Sequence, residues 1–281
     1  MPLFDLSYQR YTGERTSAVA RILALCLTES RLLIAQRRFL ALMVACWVPA
    51  ILRGGQIYVA RQFPQMQEFM RVDAALWQEF LTQQTSFLFL LVVGLYVGAS
   101  AIAQDFQSGA LTMYLAKPFS RLDYLVAKTI PVLTSLAFIT VVPALLLLGL
   151  QLSFAGDLSL LRAHPFLPLS IVGYAVWLCG YFGLAILAMS SLSGSGRLAG
   201  AGIVILMLGS EFVQVALRGL RLEAFRPSVS LMGYARDAGH VFFGNPGEGD
   251  APVWSVAAMS IIIIVSIAVI LRRLRTVEVS S

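Results

Sequence analysis

The sequence predicts an all-α membrane protein with six transmembrane helices, and two observations about composition and patterning carry that prediction. Of 281 residues, 58% are apolar and only 13% are charged, with a mean hydropathy of +0.78. Soluble domains run at ~45–50% apolar and ~25% charged. The apolar residues gather into six runs, each about as long as the ~20 residues that one bilayer crossing needs. A soluble enzyme is excluded, and six crossings leave no length for a large extramembrane domain.

The elements follow in chain order. Residues 17–38 mix Val19, Ile22, Leu23, Leu27, Leu33 and Ile34 with Arg21, Glu29, Arg31, Arg37 and Arg38. That stretch is too polar to span and suits an N-terminal helix lying in the membrane interface, with membrane lipid as its partner. Span one covers about 39–60, its Arg53 near the far end where a long stem reaches the head groups. Span two, about 85–103, holds no charge. Span three, about 129–154, contains Pro131 and Pro143, which each remove a backbone hydrogen bond and tend to kink a helix. Span four (about 166–192) and span five (about 198–217) are joined by only Ser193–Arg197, a hairpin that makes them antiparallel neighbours. Span six covers about 253–271. Gly94 and Gly98 in span two, and Gly196, Gly200 and Gly209 around span five, fit close helix approach.

Charge sets the orientation. With the N-terminus in the cytoplasm, the inner segments hold 13 Lys and Arg against 6 acids, and the outer segments hold 8 against 8. The inner balance of +7 and the −1 of Glu211 inside span five return the net +6. Both termini are therefore expected to be cytoplasmic, and the basic excess reports topology rather than a nucleic-acid partner.

Between spans two and three, residues 104–128 form a cytoplasmic loop. Gln104, Asp105 and Gln107 are too polar for lipid, while Leu111, Tyr114 and Leu115 share one helical face, so a short amphipathic helix projects below the membrane. The outer loop 218–252 and the outer stretch 61–81 are amphipathic enough for short helices dipping into the outer interface. Neither is long enough for a core of its own.

Candidate chemistry is sparse. Cys26, Cys46 and Cys179 lack paired spacing, so neither a disulfide framework nor a metal site is expected. The first long apolar run starts near Phe39, too late for a cleavable signal peptide. The only lysines, Lys117 and Lys128, follow no glycine-rich loop, so the chain has no phosphate cradle of its own. Ser195 between glycines would need a base, yet His164 and His240 fall on the other side of a ~30 Å bilayer. Glu211 is the one acid inside a span. It marks, with Gln214, a translocation-path candidate, and it keeps open a second class, a secondary transporter or channel with Glu211 as coupling acid. Packing beside Ser210 or Gln214 is the plainer role for it.

The loop carries a resemblance. Ile102, Asp105, Ser108, Gly109, Leu111, Leu115, Lys117, Pro118, Ser120, Arg121, Asp123, Tyr124 and Lys128 stand in an order that resembles the permease subunits of type-2 ABC exporters. In that family an acidic residue and a Ser-Gly-x-Leu segment open the first cytoplasmic loop, and a Pro-x-Ser-Arg turn leads to a lysine at the start of span three. The segment Tyr8–Arg15 is similar to one in some of these permeases. The resemblance implies a permease without enzymatic activity, dimeric with itself or a homologue, in the bacterial cytoplasmic (inner) membrane. Two copies of an ABC ATPase would bind the ATP and Mg, leaving this chain without a cofactor. The helix at 104–118 would sit in a groove of the ATPase, touching it through Asp105, Phe106, Ser108, Gly109, Leu111, Tyr114 and Lys117. Spans two and five would line the path at the dimer interface, and an accessory extracytoplasmic protein is compatible with the plan. The same residues suit a third class, a membrane anchor that signals through an ATPase without moving a substrate.

Overall fold

A computed structural model describes residues 17–63, 74–82, 84–115, 120–155, 159–220, 229–243 and 251–275. All regular structure among them is helical: α1 (Ala18–Ile34), α2 (Arg37–Cys46), α3 (Val48–Gln62), α4 (Ala74–Thr82), α5 (Gln84–Gly98), α6 (Ala103–Gln107), α7 (Ala110–Leu115), α8 (Arg121–Ala155), α9 (Ser159–Ala163), α10 (Leu167–Leu192), α11 (Gly196–Gly219), α12 (Leu231–Phe242) and α13 (Ala251–Arg275). Six stretches of the described residues are long and apolar enough to cross a membrane: Arg37–Ala60, Ser86–Gln107, Arg121–Phe154, Leu167–Leu192, Gly196–Leu217 and Val253–Arg275.

The first of these is two helices, α2 and α3, that meet at Trp47. Pro49 sits in the first turn of α3, where its missing N–H costs no hydrogen bond. Arg53 lies beside Glu79 of α4 at 3.6 Å, so its charge turns toward a neighbouring helix.

Helix α8 begins at Arg121, ahead of the expected start of span three at 129. Its origin is a reciprocal cap: Ser120 N donates to Asp123 Oδ2 and Asp123 N donates to Ser120 Oγ, both at 3.0 Å. The expected loop 104–128 is thereby divided, with α6 and α7 in its first half and 121–128 in the first turns of α8. At 35 residues α8 is ~50 Å long, well beyond a ~30 Å hydrocarbon core, so one of its ends projects. It runs unbroken through Pro131 and Pro143. The carbonyl of Ala127, which loses its helical partner to Pro131, accepts from the Cys26 thiol of α1 at 3.5 Å. Burial raises the pKa of Cys26 above the usual thiol value, which keeps the donor protonated.

Helix α10 is the centre of the bundle. It packs against α5, α8, α11, α12 and α13, and 72% of its best membrane-length window is buried, against 22% for those in Arg37–Ala60, Gly196–Leu217 and Val253–Arg275. The approach of α5 to α10 depends on glycine: a Cβ on Gly94 would lie 2.4 Å from Ile186 Cδ1, and one on Gly98 3.0 Å from Ile186 Cγ2.

One end of α10 meets α12 and the other meets α6. Tyr174 donates to the carbonyl of Ala235 in α12 at 2.6 Å, and Tyr181 to that of Leu231 at 3.0 Å. Ser190 binds α6 and lies ~24 Å along the helix from Tyr174. At the α12 end, Trp77 and Phe80 of α4 and Met232, Ala235 and Ala238 of α12 are buried in the common core. These short helices fold onto the bundle itself.

Candidate functional site

The polar residues of the chain concentrate where α6 leaves α5. Between them, residues 99–102 leave the helical path, and the first amides of α6 need acceptors. Ser190 Oγ supplies one, accepting from Ile102 N at 3.1 Å and Ala103 N at 3.0 Å, and Ser190 is fully buried. Further along α6, Gln107 Nε2 donates to the carbonyl of Gly194 in the hairpin between α10 and α11. The Arg273 guanidinium from the last turn of α13 lies 5.3 Å from the Phe106 ring centre, within cation–π range.

Asp105 makes the charged contact. Lys128 Nζ of α8 stands 3.0 Å from Asp105 Oδ2 and 2.6 Å from Glu29 Oε1 of α1, and Tyr124 Oη donates to Asp105 Oδ2 at 2.7 Å. The side chains of Lys128, Asp105 and Glu29 are 5%, 13% and 31% exposed. A lysine so deeply placed requires counter-charge, and two helices distant in sequence provide it. Four elements thus hold α6, namely α8, α10, the hairpin and α13, and α1 joins them through Lys128.

The residues expected to face an ATPase divide accordingly. Asp105 turns inward to Lys128, Leu111 is buried in the core, and Tyr114 packs on the Tyr124 ring at 6.0 Å. Phe106 is half-buried under Arg273. Ser108 and Gly109 are exposed. Gly109 has φ +70°, a left-handed turn between α6 and α7 that favours glycine. Lys117 lies outside the described residues, as do Pro118 and Tyr8–Arg15. Gln104, Gln107 and Met113 join Ser108 and Gly109 on the exposed surface.

Glu211 and Gln214, the path candidates, anchor the start of α12. Glu211 accepts from Ser230 Oγ, and its Oε1 lies 3.3 Å from Arg236 Nη2. Gln214 Oε1 accepts from Val229 N at 2.6 Å, and Ser210 Oγ from Leu231 N at 3.1 Å. Glu211, Ser210 and Gln214 thus all bond to residues 229–236. Ser190, Glu29 and Tyr124 are the participants that sequence reasoning did not single out as site residues. A pair of hydroxyls, Ser190 and Ser191, near the end of an otherwise apolar span was the available signal for the first.

Fold and site together define a polytopic helical membrane protein that carries a clasped pair of short helices at one end of its bundle. A family model described as ABC-2 family transporter protein matches residues 23–234, and the chain belongs to that family. It is a multi-pass membrane protein of the permease class of ABC transporters. No curated protein matches the chain.

Proposed function

We propose that this chain is the permease subunit of an ABC exporter and that α6 and α7 are its coupling element, docked on a separate ATPase. Two permeases and two ATPases make the complex. The ATPases bind ATP and Mg, and this chain performs no catalysis of its own. Both termini and α6–α7 face the cytoplasm of a bacterial inner membrane. Nucleotide-driven closure of the ATPases pushes on α6, and the contacts to α8, α10 and α13 carry that push into the bundle.

The observation that supports this reading is the contrast within α6–α7. One side is fixed by an ion pair, hydrogen bonds and a cation–π contact to α8, α10, the hairpin and α13, and the other presents Ser108, Gly109 and Met113 outward. A rigid mount with an exposed polar and apolar tip is what force transmission from a partner requires. In complexes co-expressed with the partner ATPase, Ser108→Trp and Met113→Asp weaken association about tenfold or more. The melting temperature of the permease stays unchanged. Full retention of both co-purification and stimulated ATP hydrolysis in the two variants overturns the assignment.

A further inference from the structure

We propose that the cleft between α1 and the bundle is a binding site for a membrane phospholipid with a primary ammonium headgroup, of the phosphatidylethanolamine class. The cleft has a volume of about 390 Å³, and its walls include Glu29, Gln36, Ser100, Gln104, Asp105 and Lys128. Leu33 belongs both to this cleft and to an adjoining groove of about 330 Å³, whose other walls include Ile34, Phe39, Leu40, Met43 and Phe138. A polar cleft beside an apolar groove, with Leu33 in the walls of both, matches an amphiphile, headgroup in the first and acyl chain in the second.

Charge selects the headgroup. The cleft holds two carboxylates and one lysine, a net −1. Glu29 gives Oε1 to Lys128, and Asp105 gives Oδ2 to Lys128 and Tyr124. Among the described residues Glu29 Oε2 and Asp105 Oδ1 accept no hydrogen bond. Two open carboxylate oxygens in one chamber favour a ligand with several N–H donors on a positive centre. A primary ammonium has three, a quaternary choline has none, and a glycerol headgroup brings hydroxyl donors but no positive charge. The phosphate finds its complement beside the cleft. Gln36 precedes α2, but its Oε1 accepts from Tyr96 Oη at 2.7 Å, so no side chain caps the first amides of that ten-residue helix. The exposed Arg37 and Arg38 begin the same turn, a setting that suits an anion. Leu23, Leu27 and Ile34 face outward from α1, as expected of a helix in contact with the bilayer.

The site stands on the geometry of α1, α2, α5, α6 and α8 and does not depend on what the protein transports. The test places the full chain, with its ATPase, in nanodiscs of equal phosphatidylethanolamine, phosphatidylcholine and phosphatidylglycerol. Native mass spectrometry then follows after partial delipidation. The ethanolamine lipid is retained about fivefold over each of the others, the gain of one partly exposed ion pair. Glu29→Gln brings the three to parity. Ser135→Trp, which fills the groove and leaves the charged cluster untouched, removes the retained lipid without lowering the melting temperature. Soluble phosphoethanolamine, which has the headgroup alone, displaces nothing at millimolar concentration. Parity in the unaltered protein, a preference that survives Ser135→Trp, or displacement by the soluble headgroup overturns the proposal.

Discussion

Lys128 lies three residues before a proline and sits where four side chains from three helices converge. Its charge is compensated by Asp105, 23 positions earlier in the chain, and by Glu29, 99 positions earlier. Removing the lysine leaves two carboxylates facing each other with Tyr124 as the remaining donor. Lys128→Met therefore costs about 2–4 kcal/mol, the upper part of the range restrained by the solvent that reaches Glu29. Thermal melting in detergent reads the loss. Lys128→Arg restores most of it, and adding Asp105→Asn to Lys128→Met recovers part; a Lys128→Met protein as stable as its parent contradicts the network. The sequence makes the loop after span two and its polar residues visible, because polar groups between apolar runs stand out. It does not distinguish the inward Asp105 from the outward Ser108, since that depends on a lysine and a glutamate brought in by tertiary folding. Glu211 is similar: an acid in an apolar run was plain, but its partner Ser230 lies 19 positions further along the chain.

At the scale of elements, six apolar runs and helical structure in the loop between spans two and three were legible because each is set by local composition. The start of α8 was not. The segment Arg121–Lys128 is too charged to count as a span, yet Ser120 and Asp123 cap it and the helix continues into the apolar run. The break at Trp47 was equally hidden, because the residues on both sides are apolar. The α5–α10 contact is a case where the sequence pattern and the packing agree. Gly94 and Gly98 lie one turn apart and both face Ile186. Gly94→Leu forces the two helices apart and costs about 1–3 kcal/mol, the usual range for an overpacked core. Ile186→Ala in the same chain vacates the contested space, so the double variant is more stable than Gly94→Leu alone. A melting temperature for the pair equal to or below that of Gly94→Leu argues against the contact.

Over the whole molecule, the division of charge along the chain corresponds to a division in space. Glu29 of α1, the α6–α7 pair, the Gly194 hairpin and the last turn of α13 meet at one end, and α4 and α12 close the other. The centre belongs to α10, while α11 turns Ile205, Phe212 and Val215 outward, leaving it an open apolar face suited to lipid or to a second permease. What could not be read from the sequence is which helix is innermost, since spans two, three and six are as apolar as span four.

The single hydroxyl of Ser190 holds the amides of Ile102 and Ala103, which makes those two protons a clock. While α6 rests on α10 they exchange slowly with deuterated solvent; each excursion of α6 away from α10 exposes them. In the assembled complex, ATP turnover is expected to speed deuterium uptake at residues 102–103 relative to the nucleotide-free state, and Ser190→Ala to raise it in both. Uptake that ignores nucleotide and substitution alike means that α6 does not part from the central helix during the cycle. Any parting of α6 from α10 would thus leave an isotopic signature at that end of the bundle.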